Sequence, residues 1–87
     1  MEYLTAEKFQ EITNLVEKAL TVRTKSESKQ YINRLKFLTN SYLGYTKIVF
    51  SDLVASADKA SGRVADKDRK MDDCRYLLEK LSFQIER

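Results

Sequence analysis

An all-α fold of three helices with a long central one is what this sequence predicts, and three observations predict it. The chain has no proline and only two glycines, so the many turns of a β-sandwich or barrel have no residues to make them. Apolar residues recur every three or four positions along most of its length, the period of an amphipathic helix. At 43% apolar and 33% charged, the composition is that of a folded chain rather than a disordered one. With 87 residues there is room for one helical domain, residues 1–87. A chain this short buries only about 60% of its unfolded surface, which makes a monomer marginal and an antiparallel bundle completed by oligomerisation attractive.

The first helix is expected over residues 6–22. Thr5 is placed to cap it, Leu4 to close over Phe9, and Phe9, Ile12, Val16, Ala19 and Leu20 share one face. The polar stretch RTKSES then breaks the period. Thr24 followed by Glu27 has the spacing of a capping box, with Ser26 as a rival cap, so the second helix begins near Lys25. Its period continues to Gly62, which gives a helix over 25–61, on the order of 54 Å long. The β-branched and aromatic residues of YTKIVF allow a local strand, but the helical period runs through them. A third helix is expected over 64–86. One unbroken helix from 25 to 86 would also satisfy the spacing, and Gly62 favours a break or sharp bend.

The central helix carries an apolar arc of roughly half its circumference, wider than the ~100° stripe of an ordinary surface helix. Tyr31, Leu35, Tyr42, Leu43, Tyr45 and Phe50 lie on it. Helices 1 and 3 folded against it would meet end to end near residues 39–43 and leave that point to another chain. A homodimer or higher oligomer is therefore expected. A second seam, Phe37, Ser41, Gly44 and Ile48, follows a 4-3-4 spacing on the polar side and makes a candidate protein interface. Tyr76 and Phe83, seven residues apart among charged neighbours on the third helix, make another.

Chemistry-bearing motifs are absent. There is no histidine, no phosphate-binding glycine loop, no nucleophile elbow and no acidic cluster spaced for a metal, so no catalytic residue, metal ligand or cofactor is assigned and the protein is read as a non-enzyme. Asp66, Asp68, Asp72 and Asp73 alternate with Lys67, Arg69, Lys70 and Arg75, the pattern of a solvated face. Cys74 lies on the apolar stripe between Met71 and Leu78 and reads as a small core residue. The lone cysteine and a first segment without an apolar run fit a cytoplasmic protein. No apolar run is long enough to span a membrane.

Two functions follow. The first is a helical interaction protein that binds and blocks, or bridges, a macromolecular partner, another protein above all. In size and style the chain resembles the small helical inhibitors and adaptors of phages and other mobile elements, a likeness of class that transfers no site. The second is an oligomeric binder of an anionic ligand, a nucleotide or nucleic acid, through Arg23, Lys25, Lys29, Arg34 and Lys36 around the start of the second helix. The net charge of +3 is too small to select the second by itself.

Overall fold

A computed structural model describes residues 3–62 and 64–85. It is all-helical, with four helices: α1 (Ala6–Thr21), α2 (Lys25–Thr39), α3 (Gly44–Ala60) and α4 (Lys67–Ser82). The expected helix over 25–61 is thus two helices, which corrects the three-helix reading. The last helix starts three residues later than expected and ends at Ser82; residues 83–85 are turn and bridge, and residue 86 of the expected span lies outside the described ones.

The starts of the first two helices follow their caps. The Thr5 hydroxyl accepts from the Lys8 N–H at 3.2 Å, and the Thr24 hydroxyl from the Glu27 N–H at 3.1 Å. Each satisfies one of the N–H groups that a helix start leaves orphaned.

The break at 40–43 has a local cause. Thr39 turns its hydroxyl back onto the Leu35 carbonyl at 2.8 Å, and Asn40, Ser41 and Gly44 are weak helix formers. Gly44 has φ +66°, a left-handed conformation that costs other residues roughly 1–2 kcal/mol. Lys47 from the first turn of α3 reaches back to the Thr39 and Asn40 carbonyls at 3.5 and 3.4 Å, meeting acceptors exposed where α2 stops. Tyr42 folds inward, 1% exposed, with its ring 4.8 Å from that of Phe50.

This bend redistributes the wide arc. α1 packs on α2 and α3 on α4, forming two hairpins. They join through α1, which touches both α3 and α4, and through the α2–α3 contact; α2 and α4 share no contact among the described residues. Ile12, Leu35, Phe50, Leu53 and Leu81 meet in one core and are fully buried. At the point where two helices were expected to meet end to end, Thr39 and Tyr42 are covered by the chain itself, while Asn40 and Ser41 stay exposed. Leu43 and Tyr45, expected on the core arc, are instead 61% and 52% exposed. The turn displaces only these two: Val49, Phe50, Leu53 and Ala57 beyond it are buried, as the continuous period expects.

The longest dimension is 36 Å, far short of the ~93 Å of an unbroken helix from 25 to 86. A radius of gyration of 12.3 Å matches the ~12 Å of a compact chain of this length. Gly62, with φ +74°, makes the second expected turn. A Cβ there would stand 3.1 Å from the Lys25 nitrogen, so the α3–α4 turn lies directly on the start of α2. At the other end, Leu4 bridges to Ile85 and brings the two ends of the described chain together.

Candidate functional site

The exposed large apolar side chains are distributed unevenly. α1 has none: its outward positions are Glu7, Gln10, Glu11, Asn14 and Glu17 with Lys18 and Thr21. Its apolar stripe is absorbed by the other three helices. On the remaining helices, Phe37 is 73% exposed, Ile48 61%, Tyr76 59% and Phe83 78%. Together with Leu43, Tyr45 and Tyr3 these are the large exposed hydrophobics among the described residues.

Their outward direction follows from spacing. Phe37 is two residues from both Leu35 and Thr39, which are buried, so it points ~160° away from them. Ile48 stands two residues before Phe50, and Tyr76 and Phe83 two after Cys74 and Leu81, with the same result on α3 and at α4 and its C-cap. Two of these aromatics have a cation over one ring face. Arg34 is 5.7 Å from the Phe37 ring centre and Lys80 5.1 Å from that of Tyr76. Such contacts hold an exposed ring in place for roughly 0.5–1 kcal/mol.

The seam expected from Phe37 to Ile48 is not one straight ridge, because the turn separates its two ends. Phe37 belongs to α2 and Ile48 to α3; Ser41 and Gly44 are exposed at the corner between them. The part from Gly44 through Ile48 to Ser51 and Ala55 remains, and it forms the outward ridge of α3.

Grooves run along both sides of that ridge. Between α2 and α3 the walls include Lys36, Lys47, Ser51 and Val54, with Asp58 at one end. Between α3 and α4 they include Asp52, Ala55, Asp73 and Tyr76, with Lys59. The first side is positive and the second predominantly negative.

The basic cluster is not gathered into a single cradle. The Lys25 ammonium donates to the Asp58 carbonyl and lies 3.9 Å from its carboxylate. The Gly62 turn covers the backbone beside Lys25, where an anion at the helix start would sit. Arg34 lies 3.7 Å from Glu11 on α1, beside the Phe37 ring. Arg23, Lys29 and Lys36 remain exposed.

Among the described residues no three His, Cys, Asp or Glu side chains come together as a metal site, and no helix is long and apolar enough to cross a membrane. Cys74 is fully buried, and burial, with the Asp73 carboxylate adding and Arg75 opposing, pushes its thiol up from 9.0 to about 11. It is a protonated core side chain at neutral pH, not a nucleophile.

Sequence reasoning missed Leu43 and Tyr45 as surface residues. The signal was present in TNSYLG, where four weak helix formers fall within six positions. The fold is a small all-α domain in which α1 exposes no large apolar side chain, while α2, α3, α4 with its C-cap, the α2–α3 turn and Tyr3 do. No protein-family model, curated protein or solved structure matches this chain.

Proposed function

We propose that this is a non-enzymatic interaction protein whose working side is formed by α2, α3 and α4, with α1 as its solvated back. It binds a macromolecular partner and blocks or bridges it. The observation that carries this reading is the confinement of exposed large hydrophobics to those three helices, the connecting turn and the N-terminal Tyr3, while α1 is polar throughout its outward face. Exposed aromatics rimmed by charge are the usual anchors of protein interfaces. A small inhibitor or adaptor of the phage and mobile-element kind, working in a reducing compartment such as the cytoplasm, is its concrete form.

The rival reading, an anionic-ligand binder, is weaker because Lys25 is held by Asp58 and Arg34 is directed toward Glu11. Salt separates the two. Phosphate contacts weaken steeply as salt rises, and apolar anchoring does not. The immobilised protein should therefore retain its partner from native host extract at both 0.1 and about 0.5 M salt. Phe37→Ser and a Tyr76→Ser/Phe83→Ser double variant, with unchanged helicity, should each lose it. Retention by both variants, or capture of nucleic acid that vanishes at the higher salt, contradicts the proposal.

A further inference from the structure

We infer that the ridge of α3 receives a second copy of this chain, with the two α3 helices side by side and parallel. This rests on the reading of the α2–α3–α4 side as an interaction surface and names one occupant for its centre. Along the ridge, Gly44, Ile48, Ser51 and Ala55 have the alternating four- and three-residue spacing of a coiled-coil seam, with Ile48 as the large knob, 61% exposed. Lys47 directly precedes Ile48 and Asp52 directly follows Ser51, so they occupy the two flanking rows of that seam. They are five residues apart, the offset at which flanking residues of two parallel helices meet.

The charges choose the orientation. In a parallel pair, Lys47 of each copy faces Asp52 of the other, and symmetry makes the contact twice. In an antiparallel pair, the same rows would set Lys47 against Lys47 and Asp52 against Asp52. Asp52 is exposed and makes no ion pair among those within 4 Å in the described residues. Lys47 spends its ammonium on the Thr39 and Asn40 carbonyls at 3.4–3.5 Å, long contacts that leave donor capacity for a carboxylate.

The wider surface agrees. A twofold axis running along α3 lays the α2–α3 groove of one copy over the α3–α4 groove of the other. Lys36 and Lys47 then face Asp52 and Asp73. Asp58 on the positive side has the Lys25 ammonium 3.9 Å away, and Lys59 on the negative side leaves two carboxylates against one ammonium. The seam ends at Ala55, before Asp58 would meet its own copy. Tyr45, 52% exposed, flanks the seam and is covered by the pairing.

The test is the mass in solution of charge variants, read by light scattering at low salt from micromolar to about millimolar chain, the range in which so short a seam associates. The wild type should reach twice its 10.2 kDa as concentration rises. Lys47→Glu and Asp52→Lys should each remain at 10.2 kDa with unchanged circular dichroism, and the double variant Lys47→Glu/Asp52→Lys should dimerise again. In a Cys74→Ala background, Ser51→Cys should form an interchain disulfide under mild oxidation, because in a parallel pair it meets its own copy; Lys59→Cys should not. A wild type that stays at 10.2 kDa throughout overturns the inference, as does a dimer indifferent to the single swaps or a double variant that is not rescued. A monomeric wild type whose partner capture still depends on Phe37, Tyr76 and Phe83 would overturn this pairing alone. An intact, charge-dependent dimer with no such capture would overturn the broader function alone.

Discussion

Gly44 stands where the chain bends between α2 and α3. It has φ +66° and nothing within 4 Å of where a Cβ would stand, so its requirement is conformational and not steric. Gly44→Ala should lower stability by roughly 1–2 kcal/mol, and Gly44→Asn by less, since Asn tolerates the left-handed region. Gly62→Ala should cost more than Gly44→Ala, because the added carbon also meets the Lys25 nitrogen at 3.1 Å. Denaturant midpoints at constant slope measure all three. Cys74 supplies a second test at this scale. Its thiol is held protonated in the folded chain to about 11, against 9.0 when unfolded. Burial therefore disfavours only the thiolate: the contribution is whole below pH 9 and is lost as pH rises from there toward 11. The stability advantage of wild type over Cys74→Ala should be flat from pH 6 to 8 and shrink between about pH 9 and 11. An advantage that stays constant through that window would show that the thiol is not sequestered.

The helices were legible in the sequence where local chemistry and period agreed. Thr5 and Thr24 marked two starts, and both hydroxyls make the capping bonds. Ser26, the rival cap, is exposed outside that role. Thr24→Ala should thus destabilise by about 1 kcal/mol. Ser26→Ala should change stability by less than about 0.5 kcal/mol. Thermal melts of the two variants check the assignment, and equal losses would contradict it. The break between α2 and α3 was not legible from period, because Leu38, Tyr42, Val49 and Phe50 keep helical spacing across it and all are buried. Composition carried the signal instead, and Gly44 read as a small contact residue conceals its left-handed conformation. The same oversight put Leu43 and Tyr45 on the core side. Phe37 and Ile48 were placed together on the polar side of one continuous helix, and both are exposed although the turn at 40–43 separates them; Tyr76 and Phe83 were placed opposite the apolar stripe of the last helix and are exposed too.

At the scale of the whole molecule, the bend changes why a partner is expected. The broad apolar arc of residues 31–57 first suggested that one chain could not cover itself. Folded at 40–43, it mostly does, with Tyr42, Phe50 and Leu53 at 1% exposure or less. What remains exposed is smaller: α1 carries no large exposed apolar side chain, Ile48 stands on the α3 ridge between a positive and a negative groove, and Phe37, Tyr76 and Phe83 stand out from α2, α4 and its C-cap. The measurement that tests this polarity most directly is a photocrosslinking scan in native host extract, with the reactive side chain placed in turn at positions 37, 48, 76 and 83 and, on the back, at 10, 14 and 17. Partner or self adducts should form from the first four positions and not from the α1 positions. Adducts that form equally from Asn14 and Tyr76, or only from α1, would contradict the assignment of the working side.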